Sequence, residues 1–455
     1  MRPALLLLAL FATPALATPL TPAQLAQIDR IAAQALKDTG TPSASVAVVT
    51  DGKLQFAKAY GRQRGDASPP TTTAAYPIAS VSKQITAAAI LLLAEDGKLS
   101  LDDKVSKYLP ELTDADKVTL RQLLSHTSGY RDFWPQNYAF SAMLKPTAPD
   151  GILDRWAKVP LDFAPGSQWQ YSNTGFVAAG LIVEKVSGEP LMRFLQQRIF
   201  QPLHMKVGDM DTDFKPSDAQ PFTRFALGPV RPAKAPAEGW LYAAGQLLTT
   251  PSEYSKWNIA RINRTLLKPA SWAEQEREVV LTNGKGSSYG LGVTLDDVRG
   301  HKRVQHGGAA VGYLTDNRVY PEDHAAVMVV INADFGNAHN AIADGIEAMI
   351  LGGDPETTRA RAIFDQLRQG KADRATFTDN FNAFLTPQVL ADHRASLMPL
   401  GEPQSFAAKR PTRLRGGFTS EVYEVRYPNR KLIISMRAVP NGGKVEEFLI
   451  YPEAD

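Results

Sequence analysis

Apolar residues recur along this chain with different periods, and the changes of period mark its organisation. Leu25, Ile28, Ile31, Ala32, Ala35 and Leu36 share one face of a helix that starts after Thr21-Pro22, a capping threonine followed by a first-turn proline. Ser45–Thr50 and Lys53–Ala57 read as strands joined at Asp51-Gly52, a dipeptide that tolerates the positive φ of a tight hairpin. Gln84–Ala94 is apolar on nearly every face and predicts a buried helix that stops at Gly97. From about Leu101 to Trp257 the pattern is helices and loops broken by Pro and Gly. Strand character returns at Tyr289–Leu295, Val304–His306 and Ala325–Ile331, and a last helix is expected over Ala338–Leu351. The order implies an α/β (α+β) fold, an antiparallel sheet flanked by terminal helices with a helical domain inserted.

This main domain is expected over residues 18–351. Gly352-Gly353-Asp354-Pro355 opens a linker, 352–357, and residues 358–455 read as a small C-terminal α+β domain. Its pattern gives helices at Thr357–Gln369 and Pro387–Ser396, and strands at Glu421–Tyr427, Leu432–Val439 and Val445–Tyr451. Asn441-Gly442-Gly443 joins the last two strands as a hairpin turn. A long helix with a curved sheet suggests a cystatin-like or nuclear-transport-factor-like shape.

Composition narrows the function classes. With 50 Lys+Arg against 47 Asp+Glu the net charge is +3, and no basic run interleaved with aromatics points to nucleic acid. The absence of cysteine excludes disulfides, a thiol nucleophile and thiolate metal sites. His301, His324 and His339 lack metal-ligand spacing, so neither metal nor other cofactor is expected. Met1-Arg2-Pro3, the apolar Ala4–Ala12 and the small-residue pattern Ala15-Leu16-Ala17 read as a signal peptide over residues 1–17. Cleavage after Ala17 would leave an exported protein, periplasmic or secreted. That apolar run and Ile85–Ala94 are both too short to span a bilayer, so no transmembrane segment is expected. The oligomeric state is not legible.

Chemistry concentrates at three places. Ser80 stands at the head of the buried helix, where the positive end of the dipole favours an incipient alkoxide. Lys83 lies three residues on, on the same helix face. Tyr171 and Asn173 are two apart in a stretch expected to be an extended loop, so both side chains can enter one cleft. His306-Gly307-Gly308 sits at a strand end, where two glycines let a substrate backbone approach.

Together these motifs resemble the serine β-lactamase-related family: class C β-lactamases, D-alanyl-D-alanine peptidases, D-aminopeptidases and their esterase relatives. Leu120–Gly129, Pro165-Gly166, Gly180–Gly188 and Ala243–Thr250 resemble the family's stretches at the same points, and the likeness runs from about Leu25 to Leu351. The resemblance implies a β-lactamase/transpeptidase-like fold with Ser80 as acylated nucleophile and Lys83 beside it, favouring deprotonated forms. It implies Tyr171 as general base, its phenolate accessible between cations well below the free pKa, although the choice between Lys83 and Tyr171 stays open. Asn173 would hold Lys83 and a substrate amide or carbonyl, and the N–H groups of Ser80 and Ala309 would form the oxyanion hole beside Gly307 and Gly308. His126 reads as a loop-organising residue. Tyr130, Phe133, Trp134, Trp240 and Tyr313 are candidates for lining an acyl pocket.

The third motif departs from class C enzymes, which resemble one another in carrying Lys-Thr-Gly there. His306 replaces a permanent cation by a group charged only below about pH 6.5. Efficient penicillin hydrolysis is therefore not expected. Any grip of His306 on a substrate carboxylate should weaken from acid to alkaline pH. The leading expectation is a serine hydrolase acting through an acyl-enzyme on ester or small amide and peptide bonds. The alternatives are a D-stereospecific peptidase or weak β-lactamase on cell-wall material, and a non-enzymatic muropeptide-binding protein.

Overall fold

A computed structural model describes residues 19–66, 68–352, 355–410, 412–440 and 442–453. The expected signal peptide, part of the linker and Asn441 of the hairpin turn lie outside the described residues. Among those described, no helix is long and apolar enough to cross a membrane. The chain forms two compact units, divided between Leu351 and Gly352.

In the first unit, α1 (Pro22–Thr39) begins with a capping box in which the Thr21 and Gln24 side chains each bond the other's backbone N–H. It ends at Gly40, whose φ of 69° is the left-handed conformation that closes a helix at least strain. The hairpin β1 (Ser43–Thr50) and β2 (Lys53–Gly61) follows. Next comes α2 (Lys83–Glu95), whose residues are buried from Lys83 to Leu93. The inserted helices include α3 (Asn173–Ser187) and α4 (Pro251–Ile262). The chain then returns through β3 (Thr294–Val298), β4 (His301–Ala310), β5 (Tyr313–Tyr320), β6 (Ala325–Ile331) and α5 (Ala338–Ile350).

All six strands pair antiparallel in the order β2-β1-β6-β5-β4-β3. Ala44, Val46 and Val48 of β1 with Val327, Val329 and Ile331 of β6 pack against α1 and α5, so both terminal helices lie on one face. Met328 and Val330 join the core of the helical domain on the other face. Burial on both faces is why these strands read as continuous apolar runs rather than alternating ones.

One expectation changes at the far edge of the sheet, and one interior strand is unexpected. The run predicted as a strand over Tyr289–Leu295 starts its strand only at Thr294. Gly290 and Gly292 leave no room for side chains: a Cβ would sit 2.2 Å from the Gln275 carbonyl oxygen and 2.7 Å from that of Lys83. The Gly292 N–H bonds Leu124 O at 3.0 Å, so the segment crosses the start of α2 instead of joining a ladder. The strand β5 carries no sequence signal because Asp316, Asn317 and Arg318 interrupt it. They are buried yet satisfied: Arg318 contacts Asp316 and Glu347, and Asn317 bonds Asn258.

The second unit contains α6 (Pro355–Arg368) and α7 (Pro387–Leu397) with a short helix Asp379–Phe384 between them. Its antiparallel sheet has β7 (Ser405–Ala408), β8 (Arg413–Arg415), β9 (Phe418–Tyr427), β10 (Arg430–Ala438) and β11 (Val445–Pro452), in the order β7-β9-β10-β11 with β8 also on β9. Phe364, Phe377, Tyr423, Ile434 and Phe448 fill its own core.

Candidate active site

The first unit holds a cleft of about 790 Å³ lined by Ser80, Tyr171, Asn173, His306, Gly307, Gly308 and Ala309. Of the three catalytic motifs expected from the sequence and Ala309, every named residue except Lys83 lines it. Lys83 lies directly beneath, its Nζ within hydrogen-bond distance of Ser80 Oγ. Ser80 sits in a 3-10 turn, Ala79–Ser82, that leads into α2. Ala79 before it has φ 48°, a left-handed backbone that costs a residue with a side chain about 1–2 kcal/mol.

Lys83 is wholly buried. Its Nζ lies 3.0 Å from Ser80 Oγ, 2.8 Å from Asn173 Oδ1 and 2.8 Å from the Ala244 carbonyl oxygen. Burial lowers its pKa to about 7, against which Asp132 acts weakly in the other direction.

Asn173 is the first residue of α3 rather than part of an extended loop, with Ser172 Oγ capping the helix by accepting from Gly175 N at 3.3 Å. Asp132, only 7% exposed, orients it. Asn173 donates to Asp132 Oδ1 from its backbone N at 3.0 Å and from Nδ2 at 3.1 Å, which turns its own Oδ1 toward Lys83. Burial raises the Asp132 carboxyl above its ordinary range. The Tyr171 ring lies over Lys83, with Nζ 4.9 Å from its centroid.

The phenol of Tyr171 is pushed up, first by burial and also by Asp132, with only a hydrogen bond to Ser80 acting downward. This overturns the expectation of an accessible phenolate. The neighbouring cation that would favour it, Lys83, is itself only partly charged at neutral pH, its pKa lowered to about 7.

His306 also departs from expectation. Burial, then the proximity of Lys83, lowers its pKa to about 4. Its Nε2 lies 2.8 Å from Tyr289 Oη and its Nδ1 2.6 Å from Gly307 O. It is uncharged across the pH range in which it was expected to grip a carboxylate. Asp132 and Asp334 line the cleft, and no lysine or arginine does so among the described residues.

β3 pairs with β4 only over residues 301–305, which leaves 306–310 with an open edge along the cleft. The two glycines differ there. Gly307 is exposed, and a Cβ on it would find its nearest neighbour 3.6 Å away. A Cβ on Gly308 would lie 2.4 Å from the Ile78 carbonyl oxygen, next to the turn that holds Ser80. Gly308→Ala is therefore expected to destabilise the fold by about 1–3 kcal/mol through overpacking, and Gly307→Ala by less than about 0.5. Urea unfolding of both variants decides this, and equal losses would contradict it.

Of the aromatics proposed for an acyl pocket, only Trp134 lines the cleft. Tyr130, Phe133, Trp240 and Tyr313 are core residues, exposed by 3% or less. Sequence reasoning missed Asp132 and the site role of Tyr289. The one signal for Asp132 was its place just beyond His126–Gly129, and Tyr289 was hidden in an expected strand.

A family model described as Beta-lactamase matches residues 28–348. Esterase EstB of Burkholderia gladioli is 35% identical over 198 residues, which cover 40% of this chain and 50% of the esterase. The chain thus spans about half the length of the first curated relatives it matches. Among solved structures, a D-stereospecific amidohydrolase from Streptomyces sp. is 26% identical, with a TM-score of 0.61 over 72% of this chain and 98% of its own. The octameric penicillin-binding protein homologue from Pyrococcus abyssi has a TM-score of 0.63 over 94% of this chain and 99% of its own; at 20% identity it is a likeness of fold.

Proposed function

This chain belongs to the Beta-lactamase family, matched over residues 28–348, and on that premise we propose that it is a serine hydrolase cleaving uncharged esters and small amides through an acyl-enzyme on Ser80. The observation that carries the reading is the coordination of Lys83. A neutral amine has two hydrogens and one lone pair. Asn173 Oδ1 and Ala244 O, both acceptors at 2.8 Å, engage the two hydrogens, which leaves the lone pair for the Ser80 hydroxyl at 3.0 Å. With its pKa near 7, Lys83 is a base matched to neutral pH.

In this reading Ser80 Oγ attacks the substrate carbonyl carbon while its proton passes to Lys83 Nζ. The carbonyl electrons move onto oxygen, which the N–H groups of Ser80 and Ala309 hold. The intermediate collapses by breaking the bond to the leaving alcohol or amine, which takes the proton back from Lys83 through the Tyr171 hydroxyl. Water then repeats the sequence on the acyl-enzyme and releases the acid. Tyr171 acts as a neutral relay, consistent with its raised pKa.

Among the described residues no lysine or arginine lines the cleft, which argues against substrates that must be held by a carboxylate, penicillins included. A second reading, a D-stereospecific hydrolase of small amide or peptide bonds, draws on the likeness to the Streptomyces D-stereospecific amidohydrolase. Export directed by residues 1–17 completes the proposal.

The test uses purified protein with an alkyl fluorophosphonate, and peptide mass spectrometry to locate the adduct. Labelling at Ser80 together with ester hydrolysis supports the reading. Tight muropeptide binding with neither labelling nor turnover would replace it by a binding function. The same protein is expected to prefer p-nitrophenyl butyrate over mono-p-nitrophenyl succinate by about tenfold or more in kcat/KM. That ratio should stay flat from about pH 5.5 to 8, because His306 is already neutral above its pKa of about 4. A preference that follows a titration near pH 6.5 would restore a charged His306.

A further inference from the structure

Behind Tyr171 lies a chain of buried polar groups that the hydrolytic steps do not use. Ser172 donates its backbone N–H to His126 Nδ1 at 3.1 Å. His126 Nε2 is 3.2 Å from Tyr289 Oη, which is 2.8 Å from His306 Nε2. His306 Nδ1 then lies 2.6 Å from the Gly307 carbonyl oxygen.

Each end is a backbone group whose role cannot change. A backbone N–H only donates, so His126 Nδ1 must accept and its ring proton must reside on Nε2. A carbonyl oxygen only accepts, so His306 Nδ1 must carry its ring proton. The middle then has one solution: His126 Nε2–H donates to Tyr289 Oη, and the Tyr289 hydroxyl donates to His306 Nε2.

We propose that His126, Tyr289 and His306 form a one-way hydrogen-bond chain that keeps His306 uncharged and ties the strand carrying Gly307–Ala309 to the loop carrying Tyr171. Adding a proton at His306 Nε2 would turn two donors toward Tyr289 Oη and leave the phenolic hydrogen without its acceptor. Reversing the middle bond would then need His126 to lose its only ring proton. The chain resists protonation by counting hydrogens, in addition to the burial of its members.

Of the other titratable groups around His306, Asp132 and Asp334 line the same cleft but are engaged by Asn173 and by the Gly312 N–H. Lys83 and Tyr171 act in the same direction as the chain or are neutral. Lys83 on α2 disfavours a second positive charge. The ring of Tyr171 stands 6.2 Å away, and its phenol stays protonated. The coupling to Tyr171 is mechanical as well. The His126 ring lies against that of Tyr171 with centroids 4.2 Å apart, and its Nδ1 anchors the next residue's backbone. The three side chains are positioning residues in this account.

The chain is read in the resting protein, and only its effect on turnover rests on the hydrolase reading. Nitrogen-15 NMR of histidine-labelled protein, with signals assigned through His126→Asn and His306→Gln, tests it without substrate. The expected result is an Nε2–H tautomer for His126 and an Nδ1–H tautomer for His306, with neither becoming an imidazolium above about pH 5. Tyr289→Phe should raise the titration of His306 by about one unit or more and lower kcat about tenfold on p-nitrophenyl butyrate. A wild-type His306 that is charged at pH 6, or that carries its proton on Nε2, overturns the proposal. So does a folded Tyr289→Phe variant whose His306 titrates as before. If that variant does not fold, the wild-type tautomers decide alone. Catalysis failing while the tautomers hold would refute the hydrolase reading and leave the chain standing.

Discussion

Ser80→Ala is expected to lower kcat/KM on p-nitrophenyl butyrate by at least about 10⁴-fold, a loss of about 5.5 kcal/mol in transition-state stabilisation. The reading requires a covalent bond from Ser80 Oγ to the acyl carbon, and no neighbour can replace it. Lys83 Nζ is the closest nucleophilic atom, but it lies wholly buried beneath the serine and is engaged by Asn173 and Ala244. The remaining rate would come from the oxyanion N–H groups and from substrate binding, which do not depend on the hydroxyl. The fold should survive, because the substitution removes one hydroxyl at the wall of an open cleft and creates no internal void. Its urea midpoint should stay close to that of the native protein. Activity retained in a folded Ser80→Ala protein would mean that another group is the nucleophile, and the whole assignment of the cleft would fall with it.

What the sequence reveals of this site follows from how local each interaction is. Ser80 and Lys83 are one helical turn apart, so their meeting is a property of helix geometry alone. Tyr171 and Asn173 gain meaning from their motif. Asp132 is different: it reaches Asn173 across 41 positions, and nothing in its own neighbourhood requires a buried carboxylate. Tyr289 and His126 are separated by 163 positions. Their contact depends on the two glycines that carry the Tyr289 segment across the start of α2. The same limit applies to β5, where buried ion pairs conceal a strand that apolar periodicity cannot find. The charge state of His306 is hidden from the sequence for a related reason. A lone histidine suggests its solution pKa, while the value near 4 arises from burial and from Lys83, both consequences of the folded chain.

Lys83→Met should cut kcat/KM by about 10³–10⁴-fold and remove the acidic limb of its pH profile. Lys83 must be neutral to accept the Ser80 proton, so activity in the native protein is expected to rise with pH through about 7. Methionine matches the length and burial of the lysine stem but has no basic atom. Lys83→Arg should fail to restore activity, since a guanidinium stays protonated at any accessible pH. Stability separates loss of chemistry from loss of fold. The fold holds the Lys83 pKa at about 7 against an ordinary 10.5, so the contribution of this group is fully present above pH 10.5. It is lost as pH falls toward 7, by about 5 kcal/mol at 1.36 kcal/mol per unit. A methionine in its place would escape that penalty while leaving Asn173 Oδ1 and Ala244 O without their donor, at about 1–3 kcal/mol each. The two effects offset, so the variant should fold with near-native stability at neutral pH and lose the rise in stability toward alkaline pH. Full activity in Lys83→Met with an unchanged pH profile would transfer the role of base to Tyr171, whose raised pKa would then have to fall when substrate binds.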